Sequence, residues 1–309
     1  MNSFKLLCSG LTFLVSQSCF SQDLQPGLAG MAPMKWITIK TTQAPGRVYQ
    51  TLNAQSKTYT QEDLYIRAWI PAVVKPGFAL AFGPHYRTEQ LELKTAGEDP
   101  MYRLSNWQLR SMGVDMKSLV KLDSTSWLIT TAQVNQSGNL NSPSTANIPL
   151  SYTFSAVYLR KKSINKEVGF GLMVNKSSSI MVLPVVVFNY NYSARSGVEI
   201  SLPHKIAWRH NLTTSDILYI KSEAVTRTYF INGLNETASG VFRRIDIDMG
   251  VAYNKQLNRF VGVELFAGYR QNVSYKLPDN LVAIKNSGWA ASFEIYIRPP
   301  QGLRLNKRR

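Results

Sequence analysis

Cysteine is almost absent from this chain of 309 residues: there are two, Cys8 and Cys19, both within the first 21 positions. The remainder therefore offers no disulfide, no thiolate metal ligand and no cysteine nucleophile. Histidine is nearly as scarce, with His85, His204 and His210 spread over two distant segments. A metal centre needs clustered ligands, and neither HExxH nor GxSxG occurs, so no metal, no cofactor and no catalytic residue is expected. Acids are outnumbered, 19 against 35 Lys and Arg, for a net charge of +16. Long apolar runs are also missing. After the first 21 residues the longest is Ile180–Phe188 (IMVLPVVVF), interrupted by Pro184, whereas a spanning helix needs about 20 apolar residues. The sequence thus predicts no transmembrane helix beyond its start.

The start itself reads as an export signal over 1–21. Lys5 supplies the positive end, Leu6–Val15 the apolar stretch, and Cys19-Phe20-Ser21 a small-x-small cleavage site. A buried N-terminal helix is the alternative, but polar Ser16-Gln17-Ser18 interrupts the pattern where a signal requires it. Lipidation of Cys19 is the other alternative; it wants an apolar residue three before the cysteine, where Ser16 stands. Cleavage would leave 34 basic against 19 acidic residues, or +15. For an exported chain, such charge points to outer-membrane lipids and small anionic solutes as partners rather than to nucleic acid.

What the sequence has in abundance is alternation. Apolar residues make up 44% of the chain and aromatics 11%, and mean hydropathy is −0.15, too polar for a helical membrane protein and too apolar for a disordered one. Apolar side chains recur at every second position in segments of about 10–14 residues, separated by breaks rich in Gly, Asn, Ser, Pro and Asp. In the clearest, Ile245, Ile247, Met249, Val251 and Tyr253 oppose Arg244, Asp246, Asp248 and Asn254. In the next, Val261, Val263, Leu265 and Tyr269 oppose Glu264 and Arg270, with Phe260 and Phe266 intruding on the polar side. This reading predicts about twelve strands, near 61–71, 77–92, 103–117, 124–134, 148–161, 166–176, 180–192, 197–210, 215–230, 242–254, 258–270 and 287–298. Residues 22–60 are left as a leader containing at most a further strand around Lys35–Thr41, and 299–309 as a basic tail (RLNKRR at its end).

A sandwich also alternates. Three features favour a closed antiparallel transmembrane β-barrel over 61–298. The strands reach the 9–11 residues that cross a bilayer, against about 5–6 in soluble proteins. Aromatics lie near strand ends, at Trp69, Tyr86, Tyr158, Tyr192, Trp208, Tyr253, Tyr269 and Trp289, where membrane interfaces want them. The polar faces mix both charge signs, as a lumen can accommodate. Only closure leaves no backbone group unpaired in lipid. Against this, bacterial barrels alternate short turns with long loops, and the break 135–147 falls on the wrong side of that rhythm.

The stretches Ile70–Leu93 (IPAVVKPGFALAFGPHYRTEQLEL), Gly169–Asn175 (GFGLMVN) and Val182–Pro203 (VLPVVVFNYNYSARSGVEISLP) resemble a family of uncharacterised bacterial outer-membrane β-barrel proteins. The resemblance covers roughly 60–298. It implies a barrel and an outer-membrane location, and brings no activity and no site residues.

The residues expected to face the lumen are Arg67, Arg87, Glu199, Lys205, Arg209, Lys221, Glu223, Arg227, Arg244, Asp246, Asp248, Glu264, Arg270 and Glu294. Asp246 and Asp248, two apart on one strand, could do acid/base work; the stronger reading pairs them with Arg244, Arg270 or Lys221 across strands. Function stays open between a small-solute channel of anion preference, a structural or adhesive barrel, a lipid-modifying enzyme using His85 or His210 with a serine at the bilayer edge, and a soluble exported β-sandwich. Whether a twelve-stranded lumen is open is ambiguous, because 8 strands fill with side chains and about 16 leave a channel.

Overall fold

The computed structural model describes residues 26–50, 56–93, 105, 108–139, 148–235, 238–276 and 287–299. The expected signal peptide with both cysteines, and the basic tail from 300, lie outside the described residues. Among the described residues fifteen strands run in chain order: β1 (Ile37–Gln50), β2 (Ser56–Ala68), β3 (Ile70–Lys75), β4 (Phe78–Leu93), β5 (Leu109–Lys121), β6 (Ser126–Gly138), β7 (Leu150–Ser163), β8 (Lys166–Lys176), β9 (Ile180–Asn191), β10 (Ser196–Leu202), β11 (Lys205–Asn211), β12 (Asp216–Asn235), β13 (Ala238–Gln256), β14 (Val261–Lys276) and β15 (Ser287–Ile297).

Apart from β2 and β3, each strand pairs antiparallel with its successor, and β1 closes the sheet onto β15 from Ile37↔Ile297 to Gln43↔Ala291. β4 pairs with β2 over Tyr59–Arg67 and with β3 over Ile70–Lys75. β2 and β3 therefore fill one place in the ring, split at Trp69, and the closed barrel has 14 positions. The sheet has no terminal edge strand, so the backbone groups of the ring are satisfied by ladder partners over most of its height. A single closed ring also disposes of the two-sheet sandwich.

The ring corrects the expected dozen strands in two places. Residues 197–210 are two strands, β10 and β11, joined at Pro203-His204, because the alternation keeps phase across the two-residue turn and conceals it. Residues 37–60 contribute β1 and the start of β2, where the register slips between Ala44 and Arg47 and Gly46 takes φ +65°. That bulge destroys the period-2 pattern. The segment expected at 103–117 is displaced to Leu109–Lys121.

With 14 strands the break at 139–149 falls on the proper side. One end of the ring carries the connections 76–77, 122–125, 164–165, 192–195, 212–215 and 257–260, none longer than four residues; the chain enters and leaves there. The strand ends that flank the long breaks 94–108, 139–149 and 277–286 share the opposite end. Pro76-Gly77 shows why the turns are tight. Proline fixes the first central φ and Gly77, at φ +81°, supplies the second, as a type II turn requires.

The apolar alternate residues face outward: Phe170 is 67% exposed and Leu172, Val182 and Ile220 are nearly as open. Polar partners of the same strands are buried in the ring. Tyr158, Tyr192, Trp208 and Tyr253 girdle the short-turn end, with Trp208 Nε1 donating to Tyr192 Oη at 2.5 Å. Tyr269 packs edge-on to Trp289 at 6.3 Å, eight residues up β14.

Candidate functional site

The interior divides along β12. On one side, under β1, β2, β4 and β12–β15, it is filled with paired charge. Glu89, wholly buried, accepts from Arg244 Nε and Nη2 at 3.0 Å each, from Gln61 Nε2 at 2.8 Å and from Tyr229 Oη at 2.8 Å. Arg244 also pairs with Asp246, which Asn272 and Arg47 approach at 3.2 and 3.4 Å. Arg270 grips Asp248 through two bonds of 2.6 and 2.8 Å. Arg87 holds both oxygens of Asp63. Nearer the short-turn end, Lys221 meets Glu264 at 2.7 Å and Glu223 at 3.3 Å, and Glu199 bridges Arg209 and Lys205 at 3.0 Å each. Buried charges persist only when paired and hydrogen-bonded, and this half is a polar core cross-linked by such pairs. Asp246 and Asp248 are thus committed to arginines.

The fourteen residues expected in the lumen fall on the inner face of their strands, but they do not form one site. Arg244, Asp246, Asp248 and Arg270 sit in the core just described. Lys221, Glu223, Glu264 and Glu294 lie below it, while Glu199, Lys205 and Arg209 form a separate cluster. Arg67 lies 3.7 Å from Asp115 and over the Trp69 ring at 5.1 Å. Arg227 donates to its neighbour's carbonyl, Thr226 O, at 2.8 Å. Sequence reasoning missed Arg47, because the bulge hides the phase of β1, and Glu167, which is followed on its face of β8 by Gly169, Gly171 and Met173 rather than by other charges.

On the other side of β12 lies a chamber of about 1450 Å³. β5–β8 give it Lys117, Thr131, Thr153, Ser155 and Asn175, and β9 gives it Met181, Leu183, Val185 and Val187. Glycines at 169 and 171 keep β8 flat against β7; a Cβ at Gly171 would run into the Ala156 backbone oxygen. Lys117 has no ion-pair partner among the described residues. The lining's other cations include Arg227 and Arg243, and Glu167 is its one acid among the described residues.

Residues 26–36 enter the ring from the short-turn end and form the chamber floor. Gly27 N donates to Glu167 Oε1 at 2.9 Å, Lys161 Nζ to Gly27 O at 2.8 Å, Asn191 Nδ2 to Ala29 O at 2.9 Å and Ala32 N to Tyr219 Oη at 3.2 Å. Lys35 bridges Glu264 at 3.1 Å and Glu294 at 2.5 Å. Burial works against the Lys35 ammonium, but the two carboxylates outweigh it and its pKa rises above the ordinary lysine value.

The histidines do not assemble with one another. His85 Nδ1 is 3.4 Å from Asp115 in the chamber wall. His204 lies in the β10–β11 turn. His210 Nδ1 is 2.7 Å from Ser196 Oγ and stacks on Trp208 at 5.7 Å, a serine–histidine pair at the short-turn girdle. No acid or amide among the described residues bonds its other ring nitrogen, so the third member of a hydrolytic triad is missing there. No group of three or more His, Cys, Asp or Glu among the described residues could hold a metal.

Comparison with known proteins gives one family and several distant structures. A family model described as "Domain of unknown function (DUF6268)" matches residues 116–284, more than half of the chain. No curated protein matches. Among solved structures, an outer membrane channel from Pseudomonas putida F1 is 10% identical, over 89% of this chain and 99% of that one, at TM-score 0.42. The toluene transporter TodX of Pseudomonas putida is 6% identical, over 87% and 91%, at 0.38. LpxR from Salmonella typhimurium is 7% identical, over 84% and 99%, at 0.39.

Proposed function

Because the chain belongs to the DUF6268 family, whose description assigns no activity, its role has to be read from its own residues, and we propose that it is a channel for small solutes, preferring anions, in the outer membrane of a Gram-negative-type bacterium. Solute passes through the chamber beside β12, and residues 26–36 hold the periplasmic side shut.

One observation carries this reading: beside the charge-paired core the ring holds a chamber of about 1450 Å³ whose floor is a single docked segment rather than the wall. That volume exceeds the ~300–1,000 Å³ of common ligand pockets. The floor is held by a few hydrogen bonds and by Lys35, which can release without disturbing a ladder. Lys117, Arg227 and Arg243 against Glu167 give the lining a positive balance that favours anions.

Planar-bilayer recording tests it. The full chain is expected to show rare openings, and a chain lacking residues 26–34 frequent steps with chloride favoured over potassium. Lys35 contributes to floor closure fully below the unfolded lysine pKa, and the contribution fades only as pH rises through its higher folded value. The full chain should therefore stay closed from neutral to moderately alkaline pH. Correctly folded protein that gives no openings in either form would end the channel reading.

A further inference from the structure

We propose that the chamber opens sideways into the bilayer, over the β10–β11 hairpin, and that it takes single-chain amphipaths with an anionic head; this rests on the chamber being a solute site, as argued above, and adds the class of solute and its route.

The wall is low at one place. β10 and β11 have seven residues each, between β9 with 12 and β12 with 20. The β9–β10 ladder ends at Val186↔Leu202 and the β11–β12 ladder at Lys205↔Glu223. Above the hairpin, β9 keeps six residues, 180–185, and β12 its residues from Ala224 on, with no strand between them. Six residues at ~3.3 Å each make a notch about 20 Å long. β12 does not fill it; it leans across the ring and pairs Phe230 with Gly138 of β6. Gly138 permits this approach, since a Cβ there would collide with the Phe230 carbonyl oxygen.

The lining tells where the notch leads. Ile245, Ile247 and Val273 bound the chamber, yet they stand on the sheet face that carries Met249, Val251 and Leu265, all exposed on the barrel's outside. The lipid-facing surface of β13 and β14 therefore continues into the chamber without a rim. The facing wall is β9, whose first nine residues, Ile180–Phe188, are all apolar. Val182, Pro184 and Val186 meet lipid, while Met181, Leu183, Val185 and Val187 turn inward. A strand between lipid and a watery lumen alternates; a strand with apolar surroundings on both faces does not. Lys117, Arg227 and Arg243 supply the positive charge for a head group, and hydroxyl and amide groups of β6–β8 surround the remaining wall.

The test uses the full chain in phosphatidylcholine vesicles, with Cys8 and Cys19 replaced by serine and a nitroxide on Val185→Cys (inward) or Val186→Cys (outward). Compact migration of unheated samples on a denaturing gel verifies folding. Power saturation reads collisions with oxygen, which prefers hydrocarbon, and with a neutral water-soluble nickel chelate. Lateral opening predicts that oxygen dominates at both sites by at least two-fold. Added dodecanoate should shield the Val185 site saturably and dodecyltrimethylammonium should not. Lys117→Glu with Arg243→Glu should weaken dodecanoate at least ten-fold, and Ala224→Trp, which fills the notch, should slow shielding. Nickel dominance at Val185 would overturn the lateral route and leave the channel intact. Equal shielding by both amphipaths, or by neither, would overturn the ligand class. Shielding without any bilayer conductance would sink the channel reading alone.

Discussion

Glu89 and Arg244 show how much a single pair can decide inside such a ring. Both are completely enclosed, and the carboxylate satisfies an arginine, an amide and a phenol at once. Removing one partner of a buried pair strands the other, at a cost of about 3–5 kcal/mol. Glu89→Leu should thus lower the temperature at which the barrel loses its compact gel mobility far more than Glu89→Gln, which keeps an acceptor for Arg244 and relies on Asp246 for charge. Equal shifts would mean that the charge at 89 is unimportant. The alternation around Arg244, Asp246 and Asp248 made their inward direction legible. Nothing in it could name Glu89 as the partner, since 155 residues separate it from Arg244 and only ring closure brings β4 opposite β13.

At the level of the strand, face is set by period 2, and adjacent residues have opposite fates. Leu172 and Met173 on β8 illustrate it: the first is 57% exposed on the outside and the second lines the chamber. Leu172→Arg places a cation in hydrocarbon and should cost about 2–4 kcal/mol, read by urea unfolding in vesicles. Met173→Arg should cost far less, and the reverse order would mean the faces are assigned backwards. Strand ends were harder to see than faces. The hairpin 203–204 preserves phase, so a pair of seven-residue strands reads as one long strand; the bulge at 44–47 breaks phase, so one strand reads as a leader. Both errors come from the same source: sequence alternation reports the side of the sheet and carries no signal for reversal of direction.

Over the whole molecule, the strand lengths are unequal, and this turns a ring into two compartments. The lean of β12 onto β6 depends on the missing Cβ of Gly138. Gly138→Val should force the backbones apart, cost about 1–3 kcal/mol by overpacking, and widen the spread of distances between spin labels placed on Thr228 and Thr153. An unchanged distribution would mean that the lean is set elsewhere. The compartment it creates holds the uncompensated positive charge, whereas the other side is neutralised within itself.

Composition and periodicity alone determined that this chain is all-β and that most strands set an apolar face against a polar one, and they favoured a sheet closed in a membrane over a sandwich; these are local properties, repeated strand after strand and enforced by the demand that every backbone group be paired in lipid. The family and its barrel were already visible in the patterned stretches 70–93, 169–175 and 182–203. Only the tertiary structure decided the count of 14, which charges neutralise which, the entry of residues 26–36 into the ring, and the notch over β10–β11. Each of these depends on residues far apart in the chain meeting across a closed sheet, and closure is a property of the whole ring that no single strand encodes.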